Sequence, residues 1–145
     1  MVDEMTERSL AAGTEMEFVP DPDYQPGVCN IGPAEIQRRR MAGHVGLVAF
    51  LAVLSALVVT DAPALLRLLV IAPAAVAASG YLQARLRFCA NYGWRGIFNL
   101  GEIGDDGLVA DPRALAADRR MALRIGLWSL AIGLVAGIVA VALPI

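Results

Sequence analysis

Residues 41–60 read MAGHVGLVAFLAVLSALVVT, residues 61–63 read DAP, and residues 64–82 read ALLRLLVIAPAAVAASGYL. The first block holds no charge and a single histidine, His44, near its N-terminal end. About 20 apolar residues in an α-helix cross the ~30 Å hydrocarbon core of a bilayer. The second block is of similar length and carries one charge, Arg67. Only Asp61, Ala62 and Pro63 separate the two, room for a tight reversal in which Asp61 caps and Pro63 starts the next helix. Spans joined so closely form an antiparallel hairpin. Pro73, in the middle of the second block, predicts a kink, because its ring frees the Leu69 carbonyl. Around it Ala72, Ala74, Ala75, Ala77, Ala78, Ser79 and Gly80 leave little bulk, so another helix backbone can approach closely.

A third apolar block fills residues 124–143. Within it Gly133 and Gly137 make a GxxxG, and Gly126, Ser129 and Ala140 extend the small-residue stripe along much of the helix, a face for helix packing. Trp128 sits where an anchor at the basic end belongs. The composition agrees: 57% of residues are hydrophobic and mean hydropathy is +0.59, too apolar for an ordinary soluble domain. The fold class expected is an all-α integral membrane protein with three transmembrane helices over about 41–60, 64–82 and 124–143. Residues 83–120 form a cytoplasmic, interfacial or re-entrant segment between the second and third spans.

Two further helix starts are legible. Gly32-Pro33-Ala34-Glu35 places Pro at the first helical position and an acid in the first turn, so the first helix runs through Arg38-Arg39-Arg40 into the apolar block. Asp111-Pro112 repeats the device, and a helix from there to the end of the third block measures roughly 47 Å at 1.5 Å per residue. Its first turns must therefore stand outside the hydrocarbon. Residues 1–28 form an acidic tail with Asp3, Glu4, Glu7, Glu15, Glu17, Asp21 and Asp23 against Arg8 alone. Pro20, Pro22 and Pro26 bar a helix at its end. The tail reads either as a disordered leader or as an extended arm whose Phe18, Val19 and Tyr24 dock on a partner. The remainder, 29–145, is the membrane domain.

All twelve cations are arginines. With the N-terminus inside, Arg38, Arg39, Arg40, Arg85, Arg87, Arg95, Arg113, Arg119, Arg120 and Arg124 are cytoplasmic. Arg67 alone lies outside, near Asp61 and able to snorkel. The expected location is a bacterial cytoplasmic (inner) membrane, with the N-terminus in the cytoplasm and the C-terminus outside. The start of the chain is no secretory signal, because Asp3, Glu4 and Glu7 stand where a basic region belongs. A net charge of −2 argues against a nucleic-acid partner. A weak internal echo joins Arg39-Arg40-Met41-Ala42 to Arg119-Arg120-Met121-Ala122, and Asn30-Ile31-Gly32 to Asn99-Leu100-Gly101.

Chemistry is thinly signalled. Phe88, Tyr92, Trp94, Arg95 and Phe98 crowd a segment just beyond the second span, which suits an interfacial belt or a surface for docking a partner or lipid. Asn91, Asn99, Gly93 and Gly96 in the same stretch suggest close packing or a turn. Cys29 and Cys89 with His44 make three candidate metal ligands, without the close pairing of a dependable site. No cofactor is expected, and a metal only through those residues. The spans lack the ionisable groups of a pump. The expectation is a non-catalytic accessory or assembly subunit of a larger bacterial membrane complex, respiratory or otherwise bioenergetic, whose partners are the lipid bilayer and other membrane subunits. The alternatives are a homo-oligomer with a cytoplasmic-face metal or redox site at Cys29 and Cys89, and a small transporter or lipid-handling protein hinged at Pro73.

Overall fold

A proline in the first turn costs a helix no hydrogen bond, and two of the three long helices begin that way. In the computed structural model, which describes residues 21–144, α1 spans Pro33–Val59. A 3₁₀ segment, Ala64–Val70, runs directly into α2, Ile71–Leu86. A short helix α3, Ala90–Arg95, leads to strand β1, Ile97–Phe98. Strand β2, Gly107–Leu108, pairs antiparallel with β1, Ile97 opposite Leu108 and Phe98 opposite Gly107. The last helix, α4, spans Pro112–Ala142. Its cap is the aspartate before the proline: Asp111 accepts from the backbone N–H of Arg113 at 3.1 Å and of Ala114 at 3.2 Å.

Of the described residues 70% are helical, and among them three helical stretches are long and apolar enough to cross a membrane: Pro33–Val59, Ala64–Leu86 and Pro112–Ala142. Their side chains are arranged inside out. Val45, Val48, Leu127, Val135 and Ile138 are exposed. The buried positions are Gly43 and Gly46 on α1, Ala74, Ala77, Ala78 and Gly80 on α2, and Ser129, Gly133, Gly137 and Ala140 on α4. Only 11% of the most apolar window of α1 is buried, and 28% of those of the other two. Such helices fit an apolar surrounding, in which small residues let backbones meet.

The second span lies between the other two. A Cβ at Gly46 would stand 2.5 Å from the Ala77 nitrogen, and one at Gly80 would strike the Gly43 backbone. On the other side, a Cβ at Gly133 would stand 2.8 Å from the Ile71 carbonyl oxygen, and one at Gly137 would strike the Ile71 side chain. The stripe on α4 thus serves the chain's own second span. Gly126 is the exception, exposed with nothing within 4 Å of a Cβ.

Four local expectations need correction. Pro73 stands not in the middle of a regular α-helix but at the third position of α2, directly after the 3₁₀ segment. The irregularity lies upstream instead, in seven residues of 3₁₀ helix, long for that geometry. Asp61 does not cap the second span. It takes a left-handed conformation (φ 47°) and closes α1, its N–H donating to the Val58 carbonyl at 3.1 Å. Arg67 does not reach outward: it is buried, and Nη1 donates to the carbonyls of Ala140 (3.3 Å) and Leu143 (3.0 Å), tying the 3₁₀ segment to the last turn of α4. Finally, the segment between α2 and α4 is not purely helical or irregular, since it holds the β1–β2 hairpin.

Glycine at the α1–α2 contact is a steric requirement, whereas Gly126 is not. Gly46→Ala is expected to lower stability by about 1–3 kcal/mol through overpacking against the Ala77 backbone, and Gly126→Ala to leave it within about 0.5 kcal/mol. Thermal unfolding of the two variants in detergent, followed by tryptophan fluorescence, checks the contrast.

Candidate functional site: the polar cap and its groove

At the end of the bundle where α1 and α4 begin and α2 ends, residues 21–32, α3 and the hairpin form a polar cap. It is organised by side chains that are wholly buried yet polar: Asn30, Glu35, Asn99 and Asp118. A buried polar group must find its partners within the protein, and these do.

Asn30 joins three segments. Its Nδ2 donates to the Cys89 carbonyl at 3.1 Å, and its Oδ1 accepts from the Cys89 N–H at 2.7 Å. Its own N–H donates to the Arg87 carbonyl (3.1 Å), and its carbonyl accepts from the Asn99 N–H (2.9 Å). The Gly32 N–H then donates to the Asn99 carbonyl at 2.7 Å, giving a parallel bridge between Ile31 and Asn99. The two Asn-aliphatic-Gly triplets noted in the sequence therefore lie side by side. Asn99 closes its own turn, accepting from the Gly101 N–H at 3.1 Å and donating to the Glu102 carbonyl at 2.9 Å.

Two carboxylates pin the cap to the long helices. Glu35 on α1 meets Arg38 and Arg39, each at 3.4 Å, and accepts from the Tyr92 hydroxyl at 3.3 Å. The Arg39 guanidinium also stands 5.9 Å over the Tyr92 ring. Asp118 on α4 accepts from the Tyr24 hydroxyl at 2.7 Å and from the Gly27 N–H at 2.6 Å. Tyr24 stacks on Phe98 with ring centroids 4.8 Å apart. Burial, and then Asp118 itself, raise the Tyr24 phenol well above its ordinary pKa. The end of the acidic tail is thus docked on this chain's own α4. Phe18 and Val19 lie outside the described residues.

The aromatic segment divides. Phe88, Tyr92 and Phe98 are buried: Phe88 packs with Ala122 and Ile125 of α4, and Tyr92 with Ile31, Cys89 and Ile97. Trp94 and Arg95 are exposed, with the Arg119 guanidinium 5.9 Å over the Trp94 ring. Gly93 supplies close packing, because a Cβ there would meet the Phe88 ring at 2.7 Å. Gly96 supplies the turn (φ 72°) that ends α3.

The three metal candidates are not assembled into a site within the chain. The Cys89 Sγ caps α3, accepting from the Tyr92 N–H at 3.5 Å, and burial pushes its thiol pKa up, against thiolate formation. The Cys29 Sγ lies 3.7 Å from the Ile31 carbonyl. His44 pairs through Nδ1 with the Tyr81 hydroxyl at 2.7 Å, on the exposed side of the α1–α2 contact. Among the described residues no group of three or more His, Cys, Asp or Glu side chains is placed to hold a metal ion.

Beside the cap runs a half-open groove of about 800 Å³. One wall is a stripe of α1 at helical spacing, Pro33, Ile36, Gln37 and Arg40, and the opposite wall is Arg85, Leu86 and Arg87 at the end of α2. Cys29 lines it as well. Arg87 holds a left-handed conformation (φ 53°), with its carbonyl fixed by the N–H groups of Asn30 and Ile31. Sequence reasoning used these arginines for orientation alone. Their convergence follows from the hairpin, which returns the end of α2 to the start of α1.

Compared with known protein families, characterised proteins and solved structures, the chain matches none.

Two measurements test the cap. Tyr24→Phe removes the hydroxyl from a buried acceptor and is expected to lower stability by about 1–3 kcal/mol, read as a lower midpoint of thermal unfolding. N-ethylmaleimide at neutral pH is expected to modify only Cys29 of the folded protein, so Cys29→Ser stays unlabelled until denatured. Intact-mass spectrometry reads the adduct.

Proposed function

We propose that this chain is a non-catalytic accessory subunit of a larger membrane complex in a bacterial cytoplasmic membrane, with the cap on the cytoplasmic side. One observation carries the reading: the buried polar side chains of the cap bond to the cap and its helices. Asn30 and Asn99 bond largely to backbone, Glu35 to Arg38, Arg39 and Tyr92, and Asp118 to Tyr24 and Gly27. Groups so committed fix a shape. A catalytic acid or nucleophile needs access to a reacting atom, which Glu35 and Asp118 lack. What the cap offers outward is a rigid surface with Trp94, Arg95 and Arg119 on it, and aromatic and arginine residues are favoured at protein interfaces.

Arginine placement supports the orientation. Arg38, Arg39, Arg40, Arg85, Arg87, Arg95, Arg113, Arg119 and Arg120 belong to the cap end, while Arg67 lies at the other, bonded to the last turn of α4. Basic residues favour the cytoplasmic side of a membrane.

Tagged protein extracted gently from its own membranes and weighed by native mass spectrometry is expected to travel in a heteromeric assembly of fixed stoichiometry, weakened by Trp94→Ala. A monomer or homo-oligomer, above all one carrying stoichiometric metal, would overturn the proposal.

A further inference from the structure

The groove between α1 and α2 has a use that the accessory role does not require. Its lining includes three arginines, Arg40, Arg85 and Arg87, against one acid, Asp23. None of the three is ion-paired among the described residues, because the ion pairs there are those of Glu35 with Arg38 and Arg39. Three like charges facing one space repel one another, and an anion placed among them relieves the repulsion. The groove also has an apolar side: Ile36 and Leu86 line it alongside the arginines. An inorganic anion would have no use for that surface; an amphiphile would.

Position narrows the ligand further. The groove lies where the apolar outer faces of α1 and α2 give way to arginine, the level of the headgroups in a chain inserted through those helices. Basic pockets between membrane helices on the cytoplasmic side suit anionic lipid headgroups. Its volume, about 800 Å³, falls within the range of small-molecule sites and accommodates a phosphoglycerol group with the first carbons of its chains. Arg87 is held in place by its backbone: the carbonyl of this left-handed residue accepts from the N–H groups of Asn30 and Ile31. One side of the groove is therefore preformed by the cap.

We infer that the groove bounded by Arg40, Arg85 and Arg87 is a binding site for the headgroup of an anionic glycerophospholipid drawn from the adjoining leaflet. The inference rests on membrane insertion and not on the accessory role, so a failure of either leaves the other standing.

The test uses the full chain, purified in detergent and exchanged into nanodiscs of phosphatidylcholine with a minority of phosphatidylglycerol. Native mass spectrometry of the released protein reads the bound lipid. Wild type is expected to retain phosphatidylglycerol well above its share of the bilayer. Arg40→Gln with Arg85→Gln should reduce that preference about 30-fold, at about 1 kcal/mol for each arginine near the surface. Both side chains are exposed and make no bond to the cap, so the fold is kept. The control, Arg113→Gln with Arg120→Gln, removes the same charge outside the groove and should retain the preference. Equal loss in both variants would mean general surface charge and overturn the site. So would an absence of preference in wild type. Displacement of bound lipid by millimolar inorganic phosphate would show a soluble-anion site and overturn the lipid.

Discussion

Asn30 has no exposed surface, and three segments meet at it. Its side-chain amide pairs with both backbone groups of Cys89, as a neighbouring strand would, while its own backbone bonds to Arg87 and Asn99. Each such bond contributes about 1 kcal/mol net when made, and losing a partner leaves a buried group unsatisfied at a cost of about 1–3 kcal/mol. The arrangement therefore stands or falls together. Fixing Cys89 sets the start of α3, fixing Arg87 sets the end of α2, and fixing Asn99 sets the exit from β1. The Arg87 wall of the groove and the start of the helix that carries Tyr92 both inherit their positions from this residue.

Below the cap the physics reverses. In an apolar surrounding there is no hydrophobic gain from bringing Leu to Leu, so helices are held by backbone approach and by the few polar bonds available. Gly43 and Gly46 against Ala77 and Gly80, and Gly133 and Gly137 against Ile71, supply the approach. Arg67 supplies the polar bond at the far end, its guanidinium taking carbonyls that the last turn of α4 cannot satisfy itself. The bundle is thus fastened at both ends by polar side chains and along its length by small ones.

What the sequence made legible was whatever depends on a local rule. Length and hydropathy place three helices, Pro33 and Asp111-Pro112 mark two of their starts, and Asp61-Ala62-Pro63 marks the reversal. What it concealed depends on the third dimension. The i, i+4 stripe from Ser129 to Gly137 reads the same whether its partner is another subunit or the chain's own α2, and the structure gives it to α2. Phe88, Tyr92 and Phe98 share one segment with exposed Trp94 and Arg95, and only the cap decides which of them turn inward. Glu35, in the first turn of α1, and Asp118, two turns into α4, resemble ordinary helix acids until Tyr92 and Tyr24 are seen to reach them. Arg67 resembled an interfacial charge because residue spacing cannot show that the end of α4 lies beside it.

The run Arg38-Arg39-Arg40 shows how one helical turn can divide a single sequence feature. Arg38 and Arg39 lie at i+3 and i+4 from Glu35, the two spacings that share its face, and both bond to it. Arg40, at i+5, is turned about 140° away from Glu35 at 3.6 residues per turn. That rotation puts it on the stripe with Pro33, Ile36 and Gln37, which is the groove wall. Two arginines of the run are engaged by Glu35 on their own helix. The third has no ion pair among the described residues and lines the groove with Arg85 and Arg87, returned to the same level by the antiparallel hairpin. The concentration of charge in the groove therefore follows from helical periodicity and the single buried acid at position 35, whose geometry can engage only two of the three.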